Sequence, residues 1–205
     1  MAPRFIAEQL ASPRGARGRL VSFMMNRGNA AMNAFALDQL ALQAGDRVLE
    51  IGFGGGVAVQ RLLGRARFVC GIDRSADVIA WAGARFAEAV RRGEAEFRTG
   101  VVEALPAAAG EFDKVLSVNT VYFWTSLAAG AAEIARVLAP GGRVVLGFVP
   151  KERMARMNFP ADIFTPRAPD DVLDALRAAG LSAVELRAPG GGKTWLIATG
   201  VKGGA

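Results

Sequence analysis

From residue 47 onward, short apolar runs alternate with stretches whose apolar residues recur every three or four positions. The runs read as strands and the stretches as helices, and their alternation predicts an α/β fold, a parallel sheet with helices on both faces. R-V-L-E-I (47–51) is the first strand and ends in glycines, and G-V-A-V-Q-R-L-L-G (56–64) is a short helix that Gly64 can close. R-F-V-C-G-I-D (67–73) is the second strand. Ser75 supplies an N-cap for the next helix, with Asp77 in its first turn and Arg91, Arg92 and Gly93 at its far end. Residues 96–100 and 112–118 are the third and fourth strands, and a helix over 126–138 leads through A-P-G-G into the fifth, 143–149. After an irregular stretch comes a helix over 169–180. Two closing strands, 182–188 and 194–200, are joined by P-G-G-G-K, too short for a helical crossover, so they pair antiparallel.

The first 45 residues lie outside this alternation and read as two or three helices. Their apolar positions, Phe23, Met24, Met32, Phe35, Leu37 and Leu40, suit a cover over a core better than a membrane anchor. One compact unit is expected, in which residues 1–45 form a helical cover over the active site and residues 46–205 carry the sheet.

Composition narrows the chemistry. The single cysteine, Cys70, permits no internal disulfide, and the absence of histidine excludes the usual zinc sites and every Ser-His or Cys-His nucleophile pair. No metal is expected. Although 52% of the 205 residues are apolar, no window approaches the ~18 uncharged apolar residues that span a bilayer. No secretory signal is legible at the start of the sequence, and a reducing, cytoplasmic setting is expected.

The net charge of +6 comes from 25 basic and 19 acidic residues, and only Lys114, Lys151, Lys193 and Lys202 of the basic set are lysine. The arginines are scattered without interleaved aromatics, which points to compositional bias rather than a nucleic-acid surface. The exception is the first 27 residues, where Arg4, Arg14, Arg17, Arg19 and Arg27 face Glu8 alone. That segment could meet anionic lipid at a membrane surface, or act as an Arg-rich presequence.

The sharpest motif is V-L-E-I-G-F-G-G-G (48–56), placed between a strand and a helix. Gly52, Gly54 and Gly56 let the backbone turn tightly and approach a ligand at the strand's carboxyl edge, where doubly wound sheets bind nucleotides. A dinucleotide site would show similar glycines and an acid like Asp73 about 20 residues later. Three features separate the two. Glu50 stands inside the strand, where a pyrophosphate gains nothing from another negative charge but an ammonium group does. Val57 occupies the place of the third fingerprint glycine. R-V-L-A-P-G-G-R (136–143) precedes the fifth strand, and the chain closes on an antiparallel pair.

On these residues the chain resembles the class I S-adenosylmethionine-dependent methyltransferases, in the small-molecule group often called methyltransferase type 11, over roughly residues 45–200. The resemblance implies a seven-stranded Rossmann-like sheet of order 3-2-1-4-5-7-6 with strand 7 antiparallel. It implies S-adenosylmethionine as methyl donor and S-adenosylhomocysteine as product. Gly52, Phe53, Gly54 and Gly56 would line the methionine part, Glu50 would stand near its amino group, Asp73 would hold the ribose hydroxyls, and Arg74 would lie beside the adenine. V-V-E-A-L-P (101–106) matches a family stretch in which Val101 replaces the acid that would bond the adenine amino group, leaving the backbone N–H of Val102 and the side chain of Glu103 on that side.

V-N-T-V-Y-F-W (118–124) falls at the end of the fourth strand, beside the glycine loop in this topology. Asn119 and Tyr122 are the candidate catalytic groups, with Asn119 also near the donor. Their N-x-x-Y spacing is similar to the Asn-Pro-Pro-Tyr motif of amino-methylating relatives and leans toward a nitrogen acceptor over oxygen, sulfur or carbon. Lack of histidine is no obstacle, because alignment of a good leaving group can contribute ~7–11 kcal/mol by itself. Met24, Tyr122, Trp124, Met157, Phe159 and Phe164 are the candidate acceptor pocket, suited to a flat or lipophilic small molecule. Phospholipid or RNA methylation, or a turnover-deficient S-adenosylmethionine sensor, are the other functions these residues allow.

Overall fold

The computed structural model describes residues 4–15, 29–192 and 194–204. Met24, and Arg17, Arg19 and Arg27 of the basic stretch, lie outside the described residues.

Strands β1 (Arg47–Ile51) and β2 (Phe68–Asp73) are buried on both faces, as their unbroken apolar runs require of central parallel strands. With β3 (Ala95–Thr99), β4 (Phe112–Val118), β5 (Leu138–Phe148), β6 (Leu181–Arg187) and β7 (Leu196–Lys202) they form one seven-stranded sheet of order β3-β2-β1-β4-β5-β7-β6. The first five strands run parallel, and β7 is antiparallel to both β5 and β6. Both the order and the orientation are those implied by the family resemblance.

Two apolar layers sandwich the sheet. On one face α1 (Arg4–Ala11), α6 (Leu127–Val137) and α8 (Pro169–Ala178) bury Ala7, Ile134, Val172 and Leu176 against Leu49, Phe112, Val144 and Leu146. On the other, α2 (Ala30–Gln39), α3 (Val57–Leu62) and α4 (Ala76–Arg85) bury Met32, Leu37, Val59, Leu62 and Val78 against Val48, Val69 and Leu116. Among the described residues no helix is long and apolar enough to cross a membrane.

Three elements depart from the sequence expectation. The helix expected to run to Gly93 breaks at Phe86 into α4 and α5 (Ala87–Arg91), because the Phe86 ring turns under the sheet to stack on Phe97, 5.7 Å between centroids. β5 begins at Leu138 rather than residue 143, since Leu138 pairs with Phe112 across a register shift that carries Ala-Pro-Gly-Gly within the strand. The stretch 150–168 contains a one-turn helix, α7 (Lys151–Ala155), whose Met154 is buried.

Candidate active site

The carboxyl ends of β1, β2 and β4 meet in a cavity of about 260 Å³. Pairing of β1 with β4 places Ile51 opposite Ser117, whose hydroxyl donates to the Ile51 carbonyl at 2.8 Å, so the glycine loop and the segment after β4 leave the sheet side by side. Gly52 has φ +67°, and a Cβ there would come within 2.4 Å of the Thr120 methyl. No other residue fits that approach. Gly54 is also left-handed and donates its N–H to Asp73 Oδ2 at 3.2 Å, tying the loop to the end of β2.

Gly52, Phe53 and Gly54 line the cavity, together with Gly55, which sequence reasoning passed over. Gly56 is not on the cavity wall: it begins α3, and a Cβ on it would meet the Phe86 ring at 3.0 Å. Phe53 lines the cavity, and its ring packs on Phe97 with 5.3 Å between centroids. Both contacts constrain the loop from the core side.

Glu50 is the most unusual group in the site. It is 5% exposed, it lines the cavity, and its Oε2 has no hydrogen-bond partner. Burial pushes its carboxyl up to about 8, opposed by the Val59 backbone N–H and reinforced by the nearby Asp73 charge. Asp73 is also raised by burial, with the Ser75 N–H (2.9 Å) and the Gly54 N–H pulling the other way. An orphaned carboxylate oxygen of this kind lowers its energy by meeting a cation or a hydrogen-bond donor. Arg74 is exposed at the wall beside Asp73, followed by Val101 and Val102. Glu103 lines the same wall, but its Oε1 accepts the Thr125 N–H at 2.6 Å and the Thr125 hydroxyl at 2.9 Å, so it also clasps the turn after β4.

At the end of β4, Asn119 has φ +60°, a left-handed conformation that asparagine tolerates better than most residues, and its N–H continues the ladder to the Gly147 carbonyl at 2.7 Å. A 3-10 turn follows over Val121–Phe123. Tyr122 is 3% exposed, and its hydroxyl accepts the Val149 N–H and donates to Asn119 Oδ1 at 3.1 Å. Burial raises its phenol further, against the Val149 bond, so it stays protonated at neutral pH and does not serve as a base there. Trp124 donates its indole N–H to Thr120 Oγ1 at 3.2 Å, and that oxygen also bonds the Ser117 hydroxyl at 2.5 Å.

The remaining wall is apolar. Phe159 stacks on Phe164 with centroids 4.4 Å apart, Phe123 meets Phe164 edge-on at 4.7 Å, and Met154, Met157 and Val149 complete that side. The helical cover expected here reaches the cavity through residues that the sequence pattern does not mark. They include Gln9, Leu10 and Pro13, with Asn29 and Asn33 at the start of α2. The segment after α1 is tied near the site by the Ser75 hydroxyl, which donates to the Pro13 carbonyl at 2.6 Å, and by the Gly15 N–H, which donates to Asp77 Oδ2 at 2.8 Å. An N-cap serine was legible, but its long-range partner carried no sequence signal. Among the described residues no group of three or more His, Cys, Asp or Glu could hold a metal ion.

Comparison with known proteins gives a consistent picture. The methyltransferase domain family matches residues 49–146. The uncharacterized methyltransferase YdaC of Bacillus subtilis is 33% identical over 135 residues, covering 65% of this chain and 72% of that protein. The uncharacterized methyltransferase Rv3342 of Mycobacterium tuberculosis is 32% identical over 133 residues, and the match spans about half of its length, 51%. Among solved structures, a chain from the complex of the Haloferax volcanii Trm112 methyltransferase activator with a methyltransferase superposes with TM-score 0.79 at 19% identity, covering 99% of this chain and 100% of that one. At that identity the likeness is one of fold.

Proposed function

The chain belongs to the class I S-adenosylmethionine-dependent methyltransferase family, and on that premise we propose that it methylates a small, flat or lipophilic acceptor with S-adenosylmethionine as donor. The observation that carries the donor assignment is Glu50 Oε2, a buried, unpartnered carboxylate oxygen at the wall of the cavity. It suits the ammonium of the donor's methionine part, which would draw the carboxyl into its charged form, whereas a pyrophosphate would only hold the proton on it more firmly. Asp73, at the end of β2, would accept from ribose hydroxyls while keeping its two backbone bonds. Gly52 and Gly54 open the backbone to the methionine part. The Val102 edge would face the purine.

When bound, S-adenosylmethionine supplies a methyl group on positively charged sulfur, which leaves as the neutral thioether of S-adenosylhomocysteine. The protein's own share is alignment. The Ser117, Thr120 and Trp124 bonds fix the turn after β4 against Gly52, so Asn119 is held at the junction between the charged and apolar walls. No histidine takes part, and a hydroxyl or amine proton can leave to water.

Titration of S-adenosylhomocysteine into Asp73→Asn, which retains one acceptor for the Gly54 N–H, tests the donor site. Loss of two charge-assisted bonds to the ribose should weaken affinity by at least ~10-fold. Affinity equal to that of the wild type would remove Asp73 from the site.

A further inference from the structure

The hydrogen bonds around Tyr122 fix the orientation of Asn119. The Val149 backbone N–H can only donate, and it donates to the Tyr122 oxygen. The one proton of Tyr122 is directed to Asn119 Oδ1. That commits the carboxamide oxygen toward Tyr122 and turns the amide nitrogen the other way, and Asn119 Nδ2 has no hydrogen bond among the described residues.

Tyr122 is itself held firmly. Its carbonyl accepts the Thr165 N–H at 3.0 Å, its ring packs on Phe123 and Phe164, and Arg167 bonds the carbonyls of Val121 and Trp124 on either side of it. Every charged side chain on the cavity wall, Glu50, Asp73, Arg74 and Glu103, comes from β1, the end of β2 and the residue after it, or the connection after β3. Among the described residues, the wall from the end of β4 and from residues 149–164 is uncharged.

Resting on the methyl-transfer reading of this site, we propose that Tyr122 is a positioning residue that turns the Asn119 amide NH2 toward the acceptor. The acceptor is then a flat, uncharged molecule presenting a hydroxyl oxygen, a phenol, enol or alcohol, rather than an amine. An amine has one lone pair, which the reaction consumes, so any group that positions it must accept its N–H. The Asn119 NH2 offers a donor against that donor. A hydroxyl oxygen has two lone pairs and can accept from Asn119 with one while the other forms the bond to the methyl carbon. The carbon–sulfur pair stays on sulfur, and the hydroxyl proton passes to water.

The experiment is calorimetry on the full chain loaded with S-adenosylhomocysteine, titrated near neutral pH with the isosteric pair 5-indanol and 5-aminoindane. Failure of the loading step itself would bring down the reading of the site, separately from this inference. With loading complete, 5-indanol should bind at least ~10-fold more tightly, the worth of one good hydrogen bond against one donor clash. Asn119→Asp keeps the oxygen that Tyr122 holds and replaces the donor with an acceptor, so the preference should invert toward 5-aminoindane. Tyr122→Phe frees the carboxamide to flip, and the two affinities should converge. Equal affinities in the wild type, a preference for the amine, binding of neither, or an uninverted preference in Asn119→Asp would overturn the proposal.

Discussion

A carboxyl group inside a strand buried along its length has two ways to lower its energy, to keep its proton or to find a cation. Glu50 does the first in the free protein, where burial pushes its pKa up to about 8. The sign of the resulting pH dependence follows. A carboxyl raised in the folded state is worth most below its ordinary value of 4.5, and that stability is lost as pH rises toward about 8. The free protein should therefore weaken across that window by up to ~1.4 kcal/mol per pH unit, and Glu50→Gln should flatten the slope. Urea midpoints at several pH values measure both, and an identical slope in Glu50→Gln would contradict the assignment. Binding of S-adenosylhomocysteine should show the mirror image, tightening toward about pH 8 until the ligand's own ammonium titrates. Glu50 was legible because an acid in an apolar run stands out. The bond from Tyr122 to Asn119 was not, because N-x-x-Y gives the spacing of two side chains and nothing of the Val149 N–H that decides which way the tyrosine proton points.

At the scale of elements, the strand ends could be read and the covers could not. Alternating apolar runs located β1, β2 and β4 closely, since buried parallel strands leave an unbroken apolar signature. The break at Phe86 escaped notice because it is set by a ring stacking under β3, a contact remote in sequence. The same holds for α1, whose place depends in part on Ser75 and Asp77, which bond the segment that follows it. Ser75 Oγ accepts the Val78 N–H at 3.4 Å and donates to the Pro13 carbonyl, so it both caps α4 and ties down residues 11–15. Ser75→Ala should cost ~1 kcal/mol, about 2–4 °C in Tm for a chain of this size, and make the N-terminal segment cleave faster in limited proteolysis. Unaltered proteolysis would mean that apolar packing, the Gly15–Asp77 bond and the Arg4–Asp162 pair hold the segment without Ser75. The exposed Arg4–Asp162 pair, 2.6 Å, joins α1 to the apolar wall but should add little by itself.

At the scale of the molecule, a mixed sheet brings side chains far apart in sequence to one edge. Glu50, Asp73, Val102 and Asn119 span some seventy positions, yet the order β3-β2-β1-β4 sets them around a single cavity. The glycine loop alone does not choose a ligand class, because nicotinamide dinucleotides use the same crevice. The choice rests on Glu50, a buried carboxyl with an unpartnered oxygen that an ammonium group would ionise and pair with and that a pyrophosphate would not. Titration of the full chain with S-adenosylmethionine and, separately, with NAD tests this most directly. Saturable one-to-one binding of S-adenosylmethionine with no detectable heat from NAD is the predicted result, and tight NAD binding with none for the sulfonium would contradict the account.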